Sequence, residues 1–332
     1  MGKMLVPLAL LLLLFIWLSG PRQPTSPVLL NQTPVRIAVS TSLLSAPVII
    51  ADKLELFARE GVYVVLQPLQ GGDLCFEALL YHRADLATSS ESVVMFNSFE
   101  RTDFTVLASF AESDNDIKLL TLSQSGITTP AQLDGKRVGV VAGSASEYFL
   151  DTILNIAGHP ALAPVRVDIR PSGLAPALLA GDVDAISVWE PYGFQLLKHQ
   201  PGKISEFPSR GLYSLSFNLI SRKADNQAYY EHHVRILKAL KLASEFIVLH
   251  PQEARQLVAE YLHLPAEEVA ALWPDYLFRL SLGNSLLSNL QSQARWAMAS
   301  GTIEARQLPD FRSVIDPTAL DQIQHMSLVE QQ

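Results

Sequence analysis

The sequence predicts an α/β fold built as two units. Three observations carry this. Strand-like and helix-like segments alternate at ~30-residue intervals, the grammar of parallel sheets with crossover helices. The length of 332 residues suits roughly two domains. The alternation shifts after Leu212 to one strand and a run of longer helices. Hydrophobic residues make up 48% and charged residues 17% of the chain, which excludes general disorder.

The folded part is expected to begin at Val35. Met1–Gly20 (MGKMLVPLALLLLLFIWLSG) has a charged start at Lys3 and then an uncharged apolar run from Met4 to Leu18. That is the layout of a secretory signal, shorter than the ~20 residues a full span needs. The leader is either cleaved or kept as an N-terminal anchor, and both place the rest of the chain outside the cytoplasmic membrane. Residues 21–34 carry four prolines, which prevent a regular helix and predict an extended tether.

Val35–Ser40 alternates and is β-branched, so it predicts a strand. Pro47 suits a first helical turn, and apolar residues from Val48 to Phe57 carry a helix to about Glu60, ended by Gly61. Val62–Leu69 is the second strand, and Gly71-Gly72-Asp73 turns into a helix over Leu74–His82. Ala84–Thr88 is a strand closed by Ser89-Ser90-Glu91-Ser92, followed by a helix to Ser98. Thr105–Ala111 and Lys118–Leu122 are strands, and Pro130–Leu133 is a short helical turn. Arg137–Val141 is a strand, and Gly143-Ser144-Ala145-Ser146 opens a helix over Glu147–Ala157. Val165–Ile169 is a strand and Leu174–Ala180 a helix. Ala185–Val188 is a strand closed by Trp189-Glu190-Pro191 before another helix. Ser214–Ser221 is a strand and Gln227–His250 a long amphipathic helix. Helices over Pro251–Leu262, Pro265–Leu272 and Ser285–Ser300 and a strand over Leu277–Leu282 complete the series.

Composition excludes several function classes. Lys and Arg number 25 against 33 Asp and Glu, a net charge of −8, and no basic stripe points to nucleic acid. The single Cys75 rules out an internal disulfide and a multi-cysteine zinc site, and reads as a small buried hydrophobe. The eight histidines show no metal-ligand spacing, and no nucleophile elbow or Walker loop appears. No metal and no cofactor are expected.

In open α/β sheets ligands sit beyond the C-terminal ends of the strands. Four such ends share one chemistry: Ser40-Thr41-Ser42, Thr88-Ser89-Ser90-Glu91, Gly143-Ser144-Ala145-Ser146 and Trp189-Glu190. Free N–H groups at a helix start, with Ser or Thr hydroxyls, can hold a polar ligand. The same residues also serve as ordinary N-caps. Trp189 offers a flat apolar face, and Glu190 is either an acceptor for ligand N–H groups or a helix N-terminal acid. The candidate ligand contacts are Ser40, Thr41, Ser42, Ser89, Ser90, Glu91, Gly143, Ser144, Ala145, Trp189 and Glu190. Tyr148, Tyr192 and Tyr213 either line the same cleft or pack within the lobes.

Several segments carry a resemblance. They are Ala46-Pro47 with Leu56-Phe57-Ala58-Arg59-Glu60-Gly61-Val62; Gly71-Gly72-Asp73 with Ala84-Asp85-Leu86-Ala87; Asp114-Asn115-Asp116-Ile117-Lys118; and Gly126 through Pro130 to Leu133-Asp134-Gly135-Lys136. Gly143-Ser144, Gly181-Asp182-Val183-Asp184-Ala185 and Trp189-Glu190-Pro191-Tyr192 follow. As an ordered set over about residues 35–201, the chain resembles the extracytoplasmic solute-binding proteins of ABC importers. The subgroup is that for nitrate, sulfonates, taurine and thiamine-pyrimidine precursors. The resemblance implies a periplasmic-binding-protein type II fold with an interlobe cleft. Lobe one would be 35–120 plus 216–320, lobe two 121–215, and 321–332 a C-terminal tail, with a hinge near Leu122 and Leu215. It also implies a monomer that closes on a small molecule and is read by an ABC permease or a membrane receptor, with no bond made or broken. The alternatives are a sensory receptor module and a pyrimidine-synthase-like enzyme.

The candidate loops hold no Lys or Arg and carry Glu91, Glu147 and Glu190. A bare anion beside these carboxylates would be repelled unless they turn away. The expected ligand is therefore a nitrogen heterocycle such as a thiamine pyrimidine precursor, with Trp189 stacking and Glu190 accepting. An alkanesulfonate, taurine or nitrate is the alternative.

Overall fold

The computed structural model describes residues 33–330. The expected leader and nearly all of the expected proline-rich tether lie outside the described residues.

Two sheets organise the chain. The first contains β1 (Val35–Ser40), β2 (Val64–Leu69), β3 (Leu86–Ser90), β4 (Phe104–Ser113), β10 (Leu215–Arg222) and β11 (Tyr276–Ser281), in the order β11-β4-β10-β3-β1-β2. The second contains β5 (Ile117–Leu122), β6 (Arg137–Val140), β7 (Val165–Asp168), β8 (Ala185–Trp189) and β9 (Ile204–Glu206), in the order β7-β6-β8-β5-β9. Parallel pairing is confined to a trio in each sheet: β2-β1-β3 and β7-β6-β8. Strands adjoining the crossings, β10, β4 and β5, pair antiparallel: the chain leaves β4 for the other lobe and enters β5 and β10 from it.

Side-chain alternation along β1 sorts the helices. Ile37 and Val39 face one core and Ala38 the other, as the period of two demands. On the Val39 side pack α1 (Ala46–Lys53), α8 (Tyr230–Leu249) and α9 (Pro251–Leu262), through Ile49, Leu237, Leu240 and Val258. On the Ala38 side pack α3 (Gly72–Leu80), α4 (Glu91–Ser98) and α11 (Asn284–Ala299), through Phe76, Leu79, Val94, Met95 and Leu290. Cys75 is a free, fully buried thiol in this core, and burial pushes its pKa up. In the second lobe α5 (Ala145–Ile156) covers one face, and α6 (Pro171–Ala180) and α7 (Tyr192–His199) the other.

The structure moves the lobe boundary. Ile117 pairs with Trp189 and Thr121 with Ala185, so β5 belongs wholly to the second sheet. The first crossing is therefore residues 114–116, not the neighbourhood of residue 120. The return crossing is 207–214. The two crossings are tied together by a hydrogen bond from Gly211 N–H to Asp114 O (2.9 Å). Periodicity alone missed this because a strand reads the same whichever sheet it joins.

Other differences are local. The expected helix to Glu60 breaks at Glu55, which adopts φ 55°, and resumes as α2 (Leu56–Arg59). The α5 helix begins at Ala145, two residues early, because Ser144 caps it. The three-residue β9 is too short to carry a periodic signal. The expected tail 321–332 is instead largely helix: α12 (Thr318–Glu330) follows α10 (Ala266–Leu272) and α11 in chain order and buries Ala319, Leu320 and Ile323 in the core of the first lobe. No helix among the described residues is long and apolar enough to cross a membrane.

Candidate functional site

The C-terminal ends of β1 and β3 and the start of β5 meet the N-terminus of α5 and the end of β8 around one cavity. It is lined from the first lobe by Ser40, Ser42, Leu44, Gly71, Gly72, Asp73, Ser90 and Val93, and by Leu215 and Phe217 of β10. Asp116 lines it from the crossing, and Ser144, Ala145 and Trp189 from the second lobe. Its volume is about 40 Å³. A single water needs ~10–15 Å³ on that scale, so the space holds roughly three waters or one compact solute.

Helix starts converge here because each parallel strand feeds a helix at the same edge of its sheet. Ser90 caps α4, its hydroxyl accepting from Val93 N–H (3.5 Å). Ser144 caps α5, accepting from Ser146 N–H (3.1 Å) and donating to Val141 O (2.7 Å). Reciprocal bonds between Ser146 and Ser187, each hydroxyl donating to the other's carbonyl at 2.7 Å, clamp α5 to β8. The Ala145 N–H, at the first helical position, has no partner along the helix and borders the cavity. On the opposite wall the Ser42 hydroxyl is buried and has no hydrogen-bond partner.

Trp189 closes the cavity across the lobes. A Cβ placed on Gly71, which adopts φ 100°, would stand 3.8 Å from the Trp189 ring. Gly72 is more tightly set: its missing Cβ would fall 2.9 Å from Ser89 Cα. Gly72 lets the α3 turn approach the strand more closely than a side chain permits, while Gly71 is called for by its positive φ.

Two acids complete the lining. Asp73 sits at the start of α3; burial raises its pKa, while the backbone N–H groups of Leu74 and Asp73 and the charge of Arg170 hold it back. Asp116 is 3% exposed and accepts from the Tyr276 hydroxyl on Oδ1 (2.6 Å). Burial pushes its pKa up to about 7, against the pull of Tyr276 and Lys118. Lys118 itself is turned away, donating to Asn115 Oδ1 (2.7 Å) and pairing with Glu206 (3.2 Å).

Of the residues singled out from sequence, Ser40, Ser42, Ser90, Ser144, Ala145 and Trp189 line the cavity together. The others stand apart from it. Thr41 is exposed and donates to Leu69 O. Ser89 is buried behind the lining and donates to Gly72 O (2.8 Å). Gly143 is half-buried and donates its N–H to Glu147 (3.0 Å).

The structure places both glutamates outside the cavity lining, Glu190 having been expected as an acceptor and Glu91 as a ligand contact. Glu190 Oε2 accepts from Phe194 N–H (2.7 Å), and burial pushes its pKa up to about 8. It serves the first turn of α7, as a carboxylate four residues ahead of a free N–H can. Glu91 is fully buried and accepts from the Tyr213 hydroxyl, from Ser216 N–H (2.7 Å) and hydroxyl (3.2 Å), and from Gln293 Nε2 (2.9 Å). Tyr213 is therefore a partner of Glu91. Tyr148 packs edge-on against Tyr213 and Trp296, and Tyr192 packs in the second-lobe core.

Asp73, Asp116 and the Gly71-Gly72 turn were not singled out for a site, although both segments stood among the quoted family motifs. Their position just past a strand end was the available signal. Asp116 lacked it while residues 114–116 were read as lying within one lobe.

Two lobes joined by two crossings, with a cavity between them, are the fold that solved periplasmic binding proteins share. The NMT1/THI5-like family model matches residues 44–254, and the chain belongs to that family. A Bacillus subtilis (strain 168) protein named for binding aliphatic sulfonates is 28% identical over 240 residues, covering 71% of each chain. A Haemophilus influenzae protein named for thiamine biosynthesis is 30% identical over 167 residues, 48% of this chain and 52% of that protein. The alkanesulfonate-binding protein SsuA from Xanthomonas axonopodis pv. citri, solved bound to MOPS, superposes with a TM-score of 0.75 at 19% identity. The match covers 86% of this chain and 99% of that one.

Proposed function

We propose that this chain captures a small oxyanion-bearing solute of the aliphatic sulfonate class between its lobes. On this reading it is an extracytoplasmic component that delivers the solute to an ABC importer by binding and release, without chemistry. The observation that carries the reading is the meeting of two helix starts from opposite lobes, capped by Ser90 and Ser144, at one compact cavity. Helix N-termini supply N–H donors and a favourable dipole for an anion without a formal positive charge. The unpartnered Ser42 hydroxyl adds a donor from the facing wall. Glu91 and Glu190 do not oppose an anion there, because their carboxylates are bonded elsewhere.

A nitrogen heterocycle is the second reading. The Trp189 face on the cavity favours it, and the loss of Glu190 as acceptor counts against it. A thermal-shift panel of ethanesulfonate, 2-aminoethanesulfonate, nitrate and an aminopyrimidine decides between them. The sulfonates are expected to raise Tm. Stabilisation by the pyrimidine with none by any sulfonate would overturn the first reading.

A further inference from the structure

We infer that Asp151 and Trp296 latch the two lobes together, so that solute affinity is set in part by side chains outside the cavity. This rests on the reading of capture and release between the lobes, and adds to it the residues that set the balance.

The latch follows from one face of α5. Ser144 and Ala145, at the helix start, border the cavity. Tyr148 and Asp151 stand four and seven residues beyond Ser144, a spacing that puts all three on one helix face. That face meets the first lobe outside the cavity. The Tyr148 ring packs edge-on against Trp296 of α11 (centroids 4.9 Å apart) and against Tyr213 of the return crossing (5.2 Å). One turn further, Asp151 Oδ2 accepts from the Trp296 Nε1–H (3.0 Å). Neither Asp151 nor Trp296 lines the cavity. A rigid helix carries these contacts together, so drawing the α5 start onto a solute also seats Asp151 on the indole. A further buried bond between the lobes, from Gln195 Nε2 to Glu268 Oε1 (2.9 Å), joins α7 to α10, and neither of those helices lines the cavity.

The Asp151 bond can break without stranding a charge. Asp151 is 8% exposed, and a carboxylate so buried is costly once it loses its partners. Its second partner comes from its own lobe: Arg166 of β7 donates from Nη2 to the same Oδ2 (2.5 Å), with its Nε 3.8 Å from Glu147. When the lobes part, Asp151 keeps Arg166 and only the indole N–H turns to water. Trp296 likewise keeps its edge-on contact with Phe96 of α4 (6.2 Å), which holds the donor in place. A charge-assisted bond made only when the lobes are together raises the closed fraction, and apparent affinity follows that fraction.

Trp296→Phe tests this, because it keeps a ring and removes the N–H. Dyes on Tyr81→Cys and Leu179→Cys, exposed positions on opposite lobes, report lobe separation by energy transfer; the native Cys75 is fully buried and stays unlabelled. Ethanesulfonate is the probe. The variant is expected to need about five- to tenfold more of it for half-closure, to reach the wild-type separation at saturation, and to show the same ratio in Kd by calorimetry without dyes. A midpoint within twofold of wild type, or a lower one, overturns the latch. A saturated separation unlike the wild type also overturns it, because Trp296 would then shape the closed state itself. If ethanesulfonate neither closes nor binds the wild type, the sulfonate reading fails, and the separation without solute decides the latch: longer in Trp296→Phe supports it, equal or shorter overturns it. Should Trp296→Phe fail to fold, Asp151→Asn, which weakens the same bond, must move the same readout in the same direction for the latch to stand.

Discussion

Removing Glu91 should unfold the junction between lobes before it touches the ligand. Its carboxylate ties three separated segments: Tyr213 on the return crossing, Ser216 at the start of β10, and Gln293 on α11. Glu91→Ala leaves the Ser216 N–H buried without its acceptor and the Gln293 amide with only its long bond to Asn289 Oδ1 (3.4 Å), and opens a cavity. Each orphaned group costs ~1–3 kcal/mol, so the total is about 3–5 kcal/mol. For a chain of this size that is a fall in Tm of roughly 5–8 °C. Glu91→Gln behaves differently. The new NH₂ group meets a donor wherever it points, but Gln293 Oε1 is buried and unpartnered. Turning the Gln293 amide over presents that oxygen to the new donor, so this variant should lose only about 1 kcal/mol. Thermal unfolding of both variants, with calorimetry on the 2-aminoethanesulfonate complex, checks the pair. Affinity within twofold of wild type in Glu91→Gln is expected. A wild-type Tm for Glu91→Ala accompanied by lost binding would refute the reasoning, because Glu91 would then be a ligand contact and not a structural tie.

Three further outcomes follow from the same geometry. Ser42→Ala removes an unpartnered buried hydroxyl, so Tm should hold or rise slightly while ligand affinity falls about five- to tenfold; calorimetry showing unchanged affinity would remove Ser42 from the site. Gly72→Ala drives a methyl group against Ser89 Cα at 2.9 Å, where backbone cannot yield, and should cost ~1–3 kcal/mol and weaken binding together, as read by urea unfolding and calorimetry. Stability should also fall as pH rises from 6.5 to 8.5. Burial holds Asp116 up to about 7 and Glu190 up to about 8, each above its ordinary value. The folded state therefore binds more protons than the unfolded one through this window, and raising the pH costs stability. His233, pushed down to about 4 by burial, acts in the opposite sense only below its ordinary value of 6.5. A Tm that stays flat or climbs between pH 6.5 and 8.5 would contradict this, and Asp116→Asn should lessen the fall.

Much of the fold was legible because it is local. Alternation along Val35–Ser40, the Gly61 stop and the Pro251 start each depend on neighbours a few residues away, and the elements stand within a few residues of their expected places. The site was legible in part for the same reason. Ser42, Ser90 and Ser144 follow strand ends, and strand ends of parallel sheets face one edge. Side-chain direction is not local. Glu91 and Glu190 follow strands as Ser90 and Trp189 do, yet one turns to Gln293, 202 residues away, and the other back onto its own helix.

The sequence by itself determined the α/β class, the two-unit plan, the family and the strand ends from which a cleft could be built. Those follow from periodicity, turn chemistry and motif order. Only the tertiary structure decided that β5 crosses to the second sheet, that two glutamates are tied away from the cavity and that Asp116 lines it. The physical reason is that a buried carboxylate goes to whichever donors surround it in space, and those donors come from segments that the sequence keeps far apart.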